Sequence, residues 1–544
     1  MKLVIVGGVA GGASAATRAR RLSETAEIVM FERGPDVSFA NCGLPYYIGG
    51  IIADREKLLV AKPQLLRDRF GIDVRTLSEV RSIDRERKVV RVEDLDSGRT
   101  YEESYDRLIL ATGAAPIRPP IPGLDLPGVH TLRNLADTDR IKEIVDRGAR
   151  RAVVVGAGFI GIEVVENLVH RGVAVTLVEL SDQILPPFDR EMTTPFEQLL
   201  RAKGVDVRLG DAAEAFEQES DHLKVKLRSG IVVETDLVLV GIGVRPENIL
   251  ATAAGLETGP RGGIRVDRAM RTSDPAISAV GDAVETVDFP FGAPTQIPLA
   301  GPANRQGRLA VDHIFGREVA YRGTQGTAIV GAFGAALAAT GMNAKSLDRA
   351  GRPYQAIYVH PNDHAGYYPG ASRLSIKLLF DPADGKVLGA QVVGSAGVDN
   401  RINVLAIAIQ AGMTVFDLEQ VELAYAPQFG SAKDAVNMAG FVAAGVVRGD
   451  SRVVLPDQLE AIDAMLIDVR SPAEFARGTI PGATNIPVDV LRNRLGDLPR
   501  DRRLVVFCQV GQRGYVATRI LMQHGFDVRN LSGGFTTYQM ARPT

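Results

Sequence analysis

The chain has 544 residues, of which 45% are hydrophobic and 24% charged, and its formal net charge at pH 7 is −2. This length predicts three or four domains with sizeable cores. The near-neutral charge excludes a general electrostatic attraction to nucleic acid or to an anionic membrane. The most apolar long stretch, residues 328–344, consists mainly of glycine and alanine, so we expect no membrane-spanning helix.

The cysteine and histidine content limits the chemistry further. Cys42 and Cys508 are the two cysteines, which is too few for a disulfide framework and fits a reducing cytoplasm. A strand-like run begins at Lys2 and leaves no room for a signal peptide. The seven histidines show no metal-ligand spacing, so we predict no metal site.

The first predicted element is an apolar strand, residues 3–6, followed by a glycine-rich turn and a helix that continues to Leu22. A second strand, Glu27–Phe31, leads to Glu32. The turn contains Gly7, Gly8, Ala10, Gly11 and Gly12. Such a turn brings a pyrophosphate to the helix N-terminus, and the acid can bind a ribose. Val9 replaces the middle glycine of the usual pattern, and an ordinary glycine turn in an α/β domain is the alternative.

Cys42 lies in a stretch rich in glycine and proline, residues 38–50. A thiol is a useful nucleophile when it is partly exposed and when its thiolate is stabilised by positive charge or a helix end. The alternative is a small buried apolar side chain, which is the usual fate of a lone cysteine.

A second nucleotide fingerprint begins at residue 151. A strand leads into a turn and a helix, and another strand, residues 173–178, ends at Glu179. The turn and the start of the helix contain Gly156, Gly158, Phe159, Ile160 and Gly161. Two such units in one chain imply two bound nucleotides.

Later segments are typical of strand ends and of an antiparallel sheet. Three of them resemble strand ends of a nucleotide-binding enzyme: residues 108–116, 239–246 and 272–282. Residues 372–393 alternate apolar and polar side chains around an Asp-Gly turn, which predicts antiparallel strands. Residues 401–411 then predict a helix.

A separate unit begins near residue 456. A strand, residues 503–507, leads into the loop Cys508-Gln-Val-Gly-Gln-Arg513, and a helix follows over 515–524. Backbone N–H groups and a helix dipole around the sulfur would stabilise a thiolate or persulfide. The alternative is a helical appendage with a buried cysteine.

In this order the motifs resemble the FAD-dependent pyridine nucleotide-disulfide oxidoreductases, in the single-cysteine branch of coenzyme A disulfide reductases, NADH oxidases and NADH peroxidases. Residues 466–475, 480–487 and the Cys508 loop resemble a rhodanese domain, although Thr479 stands where rhodaneses often have histidine. Together they resemble a coenzyme A disulfide or NAD(P)H-dependent persulfide (polysulfide) reductase with a C-terminal rhodanese domain. The resemblance implies an α/β fold with two Rossmann-like nucleotide-binding domains, an α+β dimerisation domain and a rhodanese-like domain. The expected domains are an FAD domain, 1–114 and 246–322, an NAD(P)H domain, 115–245, a dimerisation domain, 323–448, and a rhodanese domain, 456–544.

The resemblance also assigns the cofactors, with FAD at the first fingerprint and a nicotinamide nucleotide at the second. To the glycine-turn residues it adds Glu32, Arg33, Thr112, Gly113, Glu163, Glu179, Gly243, Gly281 and Asp282 as cofactor-binding candidates. Glu179 would bind the ribose of NADH, and no basic residue occurs in 180–185. We therefore expect NADH to be preferred, with NADPH possible.

The same resemblance frames the chemistry of Cys42. Two-cysteine relatives have a second cysteine at the position of Tyr47, so Cys42 must cycle through a mixed disulfide or a sulfenic acid. Oxidase and peroxidase relatives carry a histidine where Ala10 stands, which favours the mixed disulfide.

Coenzyme A is the predicted partner thiol. Ser14, Arg18 and Arg21 recur along one helical stripe, and guanidinium groups suit phosphates; a solvated basic face is the alternative. Further contacts implied by the resemblance are Ser38, Phe39, Asn41, Asn304 and Lys433. Tyr367 and Tyr425 resemble an active-site pair supplied by the partner subunit, whereas most tyrosines simply pack.

The sequence therefore predicts a cytoplasmic homodimer that uses NAD(P)H and FAD to reduce coenzyme A disulfide, coenzyme A persulfide or polysulfide at Cys42. Cys508, assisted by Arg513, would accept sulfane sulfur. Coenzyme A could carry sulfur between the two cysteines. Two alternatives remain open: an NADH oxidase or peroxidase, and a sulfurtransferase or redox sensor.

Overall fold

The structure is a computed structural model and describes residues 1–542. The chain forms two compact units. The first consists of residues 1–182 and 204–326, and the second of residues 183–203 and of the chain from 327 onward.

Helices account for much of both units. Within residues 1–542 there are fifteen α-helices: α1 Ala10–Leu22, α2 Leu44–Ile48, α3 Pro63–Phe70, α4 Leu135–Asp146, α5 Phe159–His170, α6 Arg190–Ala202, α7 Ile249–Ala253, α8 Ala300–Ile314, α9 Ala344–Arg349, α10 Val398–Ala411, α11 Val415–Gln420, α12 Ala435–Val447, α13 Pro472–Ala476, α14 Gln512–Gln523 and α15 Gly534–Ala541. The longest, α8, has 15 residues, and no helix in the described part of the chain combines the length and apolar character needed to cross a bilayer.

The strands are numbered in chain order. They are β1 Lys2–Val6, β2 Glu27–Phe31, β3 Asp73–Arg75, β4 Ser78–Asp84, β5 Val89–Asp94, β6 Thr100–Ser104, β7 Arg107–Leu110, β8 Ala114–Pro116, β9 Val129–His130, β10 Arg151–Val155, β11 Ala174–Glu179, β12 Asp206–Leu209, β13 Ala213–Glu219, β14 His222–Leu227, β15 Val232–Thr235, β16 Leu237–Val240, β17 Val244–Pro246, β18 Ile264–Arg265, β19 Ile277–Ala279, β20 Val284–Val287, β21 Pro294–Thr295, β22 Ala328–Ala332, β23 Ala335–Gly341, β24 Gln355–Val359, β25 Ser375–Phe380, β26 Val387–Gly394, β27 Val453–Val454, β28 Met465–Asp468, β29 Thr484–Asn485, β30 Leu504–Phe507 and β31 Val528–Leu531.

The first unit contains the same sheet twice. One five-stranded parallel sheet has the order β3-β2-β1-β7-β19, and the other has the order β12-β11-β10-β16-β9. Each is accompanied by a three-stranded antiparallel sheet, β4-β5-β6 and β13-β14-β15. Strands β1 and β10 are almost wholly buried, as expected for parallel sheets covered on both faces. In each sheet the three strands that come first in the sequence of its turn–helix motif, β1 to β3 and β10 to β12, lie side by side from the centre of the sheet to one edge. This is the arrangement of a mononucleotide-binding half.

The second unit contains two different sheets. An antiparallel sheet of order β22-β23-β26-β25-β24 includes the predicted pair β25 and β26, and Gly385 in the turn between them has φ +74°. A parallel sheet of order β27-β31-β30-β28-β29 follows near the end of the chain. Its central strand β30 is fully buried, and helix α14 begins at Gln512, three residues earlier than predicted. The predicted α/β fold class is confirmed.

Candidate active site

The first glycine turn connects β1 to α1. Gly7 has φ +100°, and a Cβ there would lie 2.2 Å from the carbonyl oxygen of Ala111. A Cβ on Gly12 would lie 1.8 Å from the Gly7 carbonyl oxygen, so both positions require glycine. Val9 is the helix N-cap and has a negative φ of −96°, so this position does not need the left-handed backbone that favours glycine.

The second turn, between β10 and α5, repeats this geometry. Gly156 has φ +104°, and a Cβ on Gly161 would lie 2.0 Å from the Gly156 carbonyl oxygen. The acids at the ends of the second strands also correspond. Gly8 donates its N–H to Glu32 Oε2 at 2.8 Å, and Ala157 donates its N–H to Glu179 Oε2 at 2.7 Å. Each carboxylate keeps lone pairs that can accept hydrogen bonds from ribose hydroxyl groups.

Two further observations fit a nucleotide at the first turn. Asp282 is half-buried, and within residues 1–542 we find no hydrogen-bond donor to its carboxylate, so burial raises its pKa. The preceding Gly281, at φ +79°, donates its N–H to Gln306 Oε1 at 2.8 Å. Thr112 donates to the backbone carbonyl of Glu247, whose side chain binds Arg33 at 2.7 Å. The turn, the unsatisfied acid and the fixed loops thus form a cradle suited to FAD.

Cys42 lies in a short turn that is attached to the first glycine turn. Ser38, in the left-handed region at φ +48°, donates its N–H to the Gly8 carbonyl at 2.9 Å. The thiol of Cys42 is exposed, and α2 begins two residues later at Leu44. Helix α2 packs against α5, where a Cβ on Gly49 would lie 2.0 Å from Asn167 Oδ1. The alternative that Cys42 is a buried apolar residue is wrong, since its side chain reaches the surface.

The protein groups around Cys42 oppose its ionisation. Partial burial, followed by the nearby Glu163 and Asp282, raises the pKa of the Cys42 thiol. Burial raises the pKa of Glu163 itself to about 7, with Glu166 adding to the shift. The described protein groups that act on the pKa of Cys42 therefore disfavour the thiolate.

Glu163→Gln should lower the pKa of the Cys42 thiol, because an amide removes the negative charge while leaving the burial. The difference from the unsubstituted protein should appear above pH 7, where Glu163 is charged. The rate of Cys42 alkylation against pH, measured on FAD-loaded protein with Cys508→Ser, reports this pKa. Glu166→Gln is the matched control and should produce a smaller shift. An unchanged alkylation profile in Glu163→Gln would show that the two groups do not interact.

Of the predicted coenzyme A contacts, those on α1 differ in accessibility. Ser14 donates to Asn304 Oδ1 on α8 at 2.7 Å, so these two candidates lie together. Arg18 is buried and binds Asp312 of α8, with its Nε 2.8 Å from Oδ1. Arg21 is exposed. Arg18 is therefore not part of a solvated basic face, and Arg21 is the exposed arginine of the stripe.

The remaining candidates from the first unit lie close to Cys42 in the chain. Asn41 is exposed, whereas Ser38 and Phe39 are half-buried. Phe39 packs with Leu44 and Leu58 under the turn, so its ring has a structural task besides any contact with substrate.

The two tyrosines named by the resemblance lie next to each other in the second unit. Tyr367 Oη and Tyr425 Oη are 2.6 Å apart, and this hydrogen bond raises the pKa of Tyr367. Their exposures are 75% and 47%, far above those of packed tyrosines. Lys433 is also exposed. The structure thus brings the two tyrosines together at the surface.

A buried arginine that the sequence analysis missed holds this region together. Arg401 donates to the Asp363 carbonyl and to the Asp434 carboxylate, both at 2.6 Å. Asp434 in turn caps α12 by accepting from the Val436 N–H at 3.0 Å. The loop before Tyr367 and the segment that carries Lys433 are therefore joined. Removing one partner of a buried ion pair costs about 3–5 kcal/mol.

Cys508 follows β30 and is 1% exposed. Gly511, at φ +93°, is the N-cap of α14. Two hydrogen bonds of 2.7 Å join the Arg513 guanidinium to Glu474. These bonds, followed by the nearby Cys508, raise the pKa of Arg513. This ion pair lowers the pKa of Glu474 to about 2. Glu474 thus holds Arg513 near Cys508.

A second ion pair, which is buried, is hydrogen bonded to the Cys508 loop. Arg470 and Asp468 are both buried and 2.7 Å apart, and Arg470 Nη1 donates to Gln509 Oε1 at 3.0 Å. Thr479, the residue at the usual histidine position, donates to Asp468 Oδ2 at 2.8 Å. Glu474 could have been found from the sequence, because Ser471-x-x-Glu474 is a capping box at the start of α13. Asp312 and Arg401 carry no such local signal.

One exposed cluster contains possible metal ligands. Ligand atoms of Glu219, His222 and Glu234 lie within 4.8 Å of one another on the β13–β15 sheet. Lys224 forms an ion pair with Glu219, so the cluster is already partly neutralised and carries no assignment.

Comparisons with known proteins agree with this architecture. The family described as pyridine nucleotide-disulphide oxidoreductase matches residues 1–307, its dimerisation domain matches 327–436, and a rhodanese-like domain matches 452–541. A coenzyme A disulfide reductase of Staphylococcus haemolyticus is 36% identical over 444 residues, which cover 81% of this chain and 99% of that protein.

Two solved structures extend over both units. The crystal structure of reduced Bacillus anthracis CoADR-RHD has a TM-score of 0.98 and 48% identity, covering 100% of this chain and 98% of that one. The NAD-dependent persulfide reductase from A. fulgidus has a TM-score of 0.93 and 38% identity, covering 99% and 100%. The tandem resemblance inferred from the motifs is thereby confirmed. The chain belongs to the pyridine nucleotide-disulphide oxidoreductase family and carries a rhodanese-like domain after its dimerisation domain.

Proposed function

We propose that this protein is an FAD-dependent oxidoreductase that uses NAD(P)H to reduce coenzyme A disulfide, coenzyme A persulfide or polysulfide at Cys42. The carrying observation is the exposed thiol of Cys42, attached to the first glycine turn through Ser38 and Gly8. Tyr47 occupies the place of a second cysteine. Cys42 therefore has no cysteine partner in its own turn and needs a sulfur from the substrate.

The reaction at Cys42 balances without another oxidant. The Cys42 thiolate attacks one sulfur of coenzyme A disulfide, forms a mixed disulfide and releases one coenzyme A thiolate. Bound FAD would supply the hydride chemistry, accepting two electrons from NAD(P)H and passing them to sulfur. Breaking the mixed disulfide with these electrons restores the Cys42 thiolate and releases the second coenzyme A. The sum is coenzyme A disulfide, NAD(P)H and one proton giving two coenzyme A thiols and NAD(P)⁺.

The nucleotide-binding role is supported by the two equivalent turns. Glu32 and Glu179 each retain acceptor capacity beside a turn in which a side chain would clash with backbone. The first turn, with Asp282, would hold FAD, and the second would hold the nicotinamide nucleotide.

Coenzyme A would be bound by two sets of groups, polar residues of α1 and α8 and the tyrosine pair. Arg21, Ser14 and Asn304 offer a cation and polar groups for the phosphates of coenzyme A. Tyr367 and Tyr425, hydrogen bonded to each other at 2.6 Å, would donate to the departing thiolate. Because both are exposed in the single chain, we propose that they reach the partner subunit's Cys42 site in a homodimer.

Cys508 would serve a second reaction. Its thiolate takes the outer sulfur of a persulfide donor, which becomes a thiol, and Cys508 becomes a persulfide. That sulfur then passes to an acceptor thiol such as coenzyme A, whose persulfide is reduced at Cys42 to sulfide and coenzyme A. Both cysteines are free, which supports a reducing, cytoplasmic location.

Anaerobic NADH consumption with coenzyme A disulfide, coenzyme A persulfide and polysulfide, set beside an aerobic reaction without added thiol, tests this function. We expect turnover with at least one sulfur substrate to exceed oxygen consumption clearly. Ala10 stands where oxidase and peroxidase relatives carry histidine, which disfavours the oxidase alternative. Faster turnover with oxygen than with every sulfur substrate would overturn the proposal.

NADH should be preferred over NADPH by about tenfold in kcat/KM, equivalent to about 1.4 kcal/mol. Glu179 already accepts N–H groups of Ala157 and Ser181 at 2.7 and 2.8 Å, which fixes a negative charge where a 2′-phosphate would lie. Steady-state kinetics with both nucleotides measure the ratio. Glu179→Gln should reduce the preference for NADH. A clear preference of the unsubstituted protein for NADPH would contradict the ribose-binding role assigned to Glu179.

A further inference from the structure

His360 is a buried imidazole that joins the antiparallel sheet to the rhodanese-like domain. It directly follows β24, and its two ring nitrogens each meet a hydroxyl group. Nδ1 is 2.8 Å from Ser375 Oγ on β25, and Nε2 is 2.7 Å from Thr537 Oγ1 on α15. Burial lowers the pKa of His360 to about 3, so the ring is neutral and offers one donor and one acceptor.

Two other close contacts lie beside the His360–Thr537 hydrogen bond. Tyr358 donates its N–H to Ser532 Oγ at 2.9 Å. Gly533 has φ +69°, and a Cβ there would lie 1.9 Å from Thr537 Oγ1 and 2.9 Å from His360 Nε2. The junction therefore has no room for a side chain at Gly533, and its polar groups are paired.

On the rhodanese side, the residues of this junction are continuous with the Cys508 loop. Phe535 donates its N–H to the Cys508 carbonyl at 2.8 Å, and Thr536 donates its N–H to the Gln509 carbonyl at 2.9 Å. Gln509 Nε2 donates back to Thr536 Oγ1 at 3.0 Å. A Cβ on Gly534 would lie 2.2 Å from the Cys508 carbonyl oxygen. At the start of α15, Thr537 thus contacts His360, and Phe535 and Thr536 contact the Cys508 loop.

On the other side, His360 begins the loop that leads to Tyr367. Leu374 donates its N–H to the Pro361 carbonyl at 2.8 Å, and Asp363 exchanges hydrogen bonds with Ser372 at 2.9 and 2.7 Å. The two ends of the loop are therefore joined to each other, and Tyr367 lies between them.

We propose that His360, through Thr537, is a positioning residue for sulfur transfer: it fixes the Cys508 loop relative to the loop that carries Tyr367. His360 touches neither sulfur. The inference rests on the proposed sulfur-accepting role of Cys508. A domain attached only by the linker before β27 would present Cys508 in many orientations, and the His360–Thr537 hydrogen bond restricts them together with the Tyr358–Ser532 hydrogen bond. Misplacing a reacting group by about 1 Å can cost about 100-fold in rate.

Thr537→Val tests the bridge, because it keeps the volume and leaves His360 Nε2 without its partner. With persulfidated serum albumin as donor, coenzyme A as acceptor and NADH as reductant, we expect sulfide release to fall by about tenfold or more. Reduction of coenzyme A disulfide by the same variant should stay within about twofold. Hydrogen exchange at the Phe535 and Thr536 amides should become faster.

Thr518→Val is the matched control. Thr518 is also a fully buried threonine of a rhodanese helix, and its hydroxyl has no hydrogen-bond partner in the described structure. It should leave both reactions and the exchange of the two amides unchanged. His360→Leu should reproduce the effect of Thr537→Val, and His360→Gln, which can still donate and accept, should restore part of the transfer.

The outcomes separate the inference from the function beneath it. If Cys508→Ser leaves albumin-persulfide reduction intact, the proposed role of Cys508 fails. If Cys508→Ser abolishes that reaction but Thr537→Val leaves it unchanged, the positioning role of His360 is wrong. Equal losses of persulfide and coenzyme A disulfide reduction in Thr537→Val would also overturn it, because they would indicate a general structural defect.

Discussion

Replacing Cys42 by serine should reduce turnover of coenzyme A disulfide by at least about 1,000-fold, because a serine hydroxyl can neither attack nor form the mixed disulfide. Cys508, the other cysteine, belongs to the rhodanese-like domain and follows β30 rather than the glycine turn proposed to hold FAD, so we do not expect it to replace Cys42. Steady-state oxidation of NADH with coenzyme A disulfide measures the loss.

The Cys42 variant should otherwise behave as an intact enzyme. Its side chain is exposed and Cys→Ser is a small change, so we expect an unchanged melting temperature and FAD content. NADH should still bleach the flavin absorbance in a single mixing experiment. Steady-state reduction of coenzyme A disulfide by a properly folded, FAD-loaded Cys42→Ser would disprove the role of this residue.

Replacing Cys508 by serine should abolish sulfur transfer from persulfide donors to thiols and spare the reduction of coenzyme A disulfide. The Cys508 loop holds Arg513 beside the sulfur through Glu474 at 2.7 Å, an arrangement that stabilises a persulfide anion. Transfer is measured as thiol persulfide formed from a persulfide or thiosulfate donor. Small polysulfides should still be reduced, since they can reach Cys42 directly.

The control for Cys508→Ser is the coenzyme A disulfide reaction of the same preparation. If that reaction fell as far as in Cys42→Ser, with folding and FAD content intact, the two cysteines would form one catalytic unit. The division of labour proposed for them would then be wrong.

The repeated nucleotide units were predictable because their signals are local. Gly7, Gly12, Gly156 and Gly161 each stand where a side chain would meet backbone within 2.5 Å, and such a requirement leaves a fixed glycine spacing in the sequence. The loop of Cys508 is predictable for the same reason, since Gly511 must adopt φ +93°. Strand alternation and the Asp-Gly turn likewise gave β25 and β26.

Long-range pairings could not be predicted in this way. Arg18 fits a helical stripe of phosphate ligands, yet Asp312, 294 residues away, binds it in a buried ion pair. Glu163 was predicted only as a cofactor-binding residue, whereas its proximity to Cys42 and the burial that raises its pKa to about 7 follow from tertiary packing. Such contacts depend on tertiary packing, which leaves no spacing to recognise.

The account depends most directly on a covalent bond between Cys42 and coenzyme A. Enzyme with a free Cys42 thiol and oxidised flavin, treated anaerobically with excess coenzyme A disulfide, freed of reagent and digested without reductant, should show one coenzyme A in disulfide linkage on the Cys42 peptide. Stoichiometric NADH should release it as coenzyme A thiol. An enzyme that turns over coenzyme A disulfide while no such adduct forms on Cys42, or while the adduct resists NADH, would contradict the mechanism.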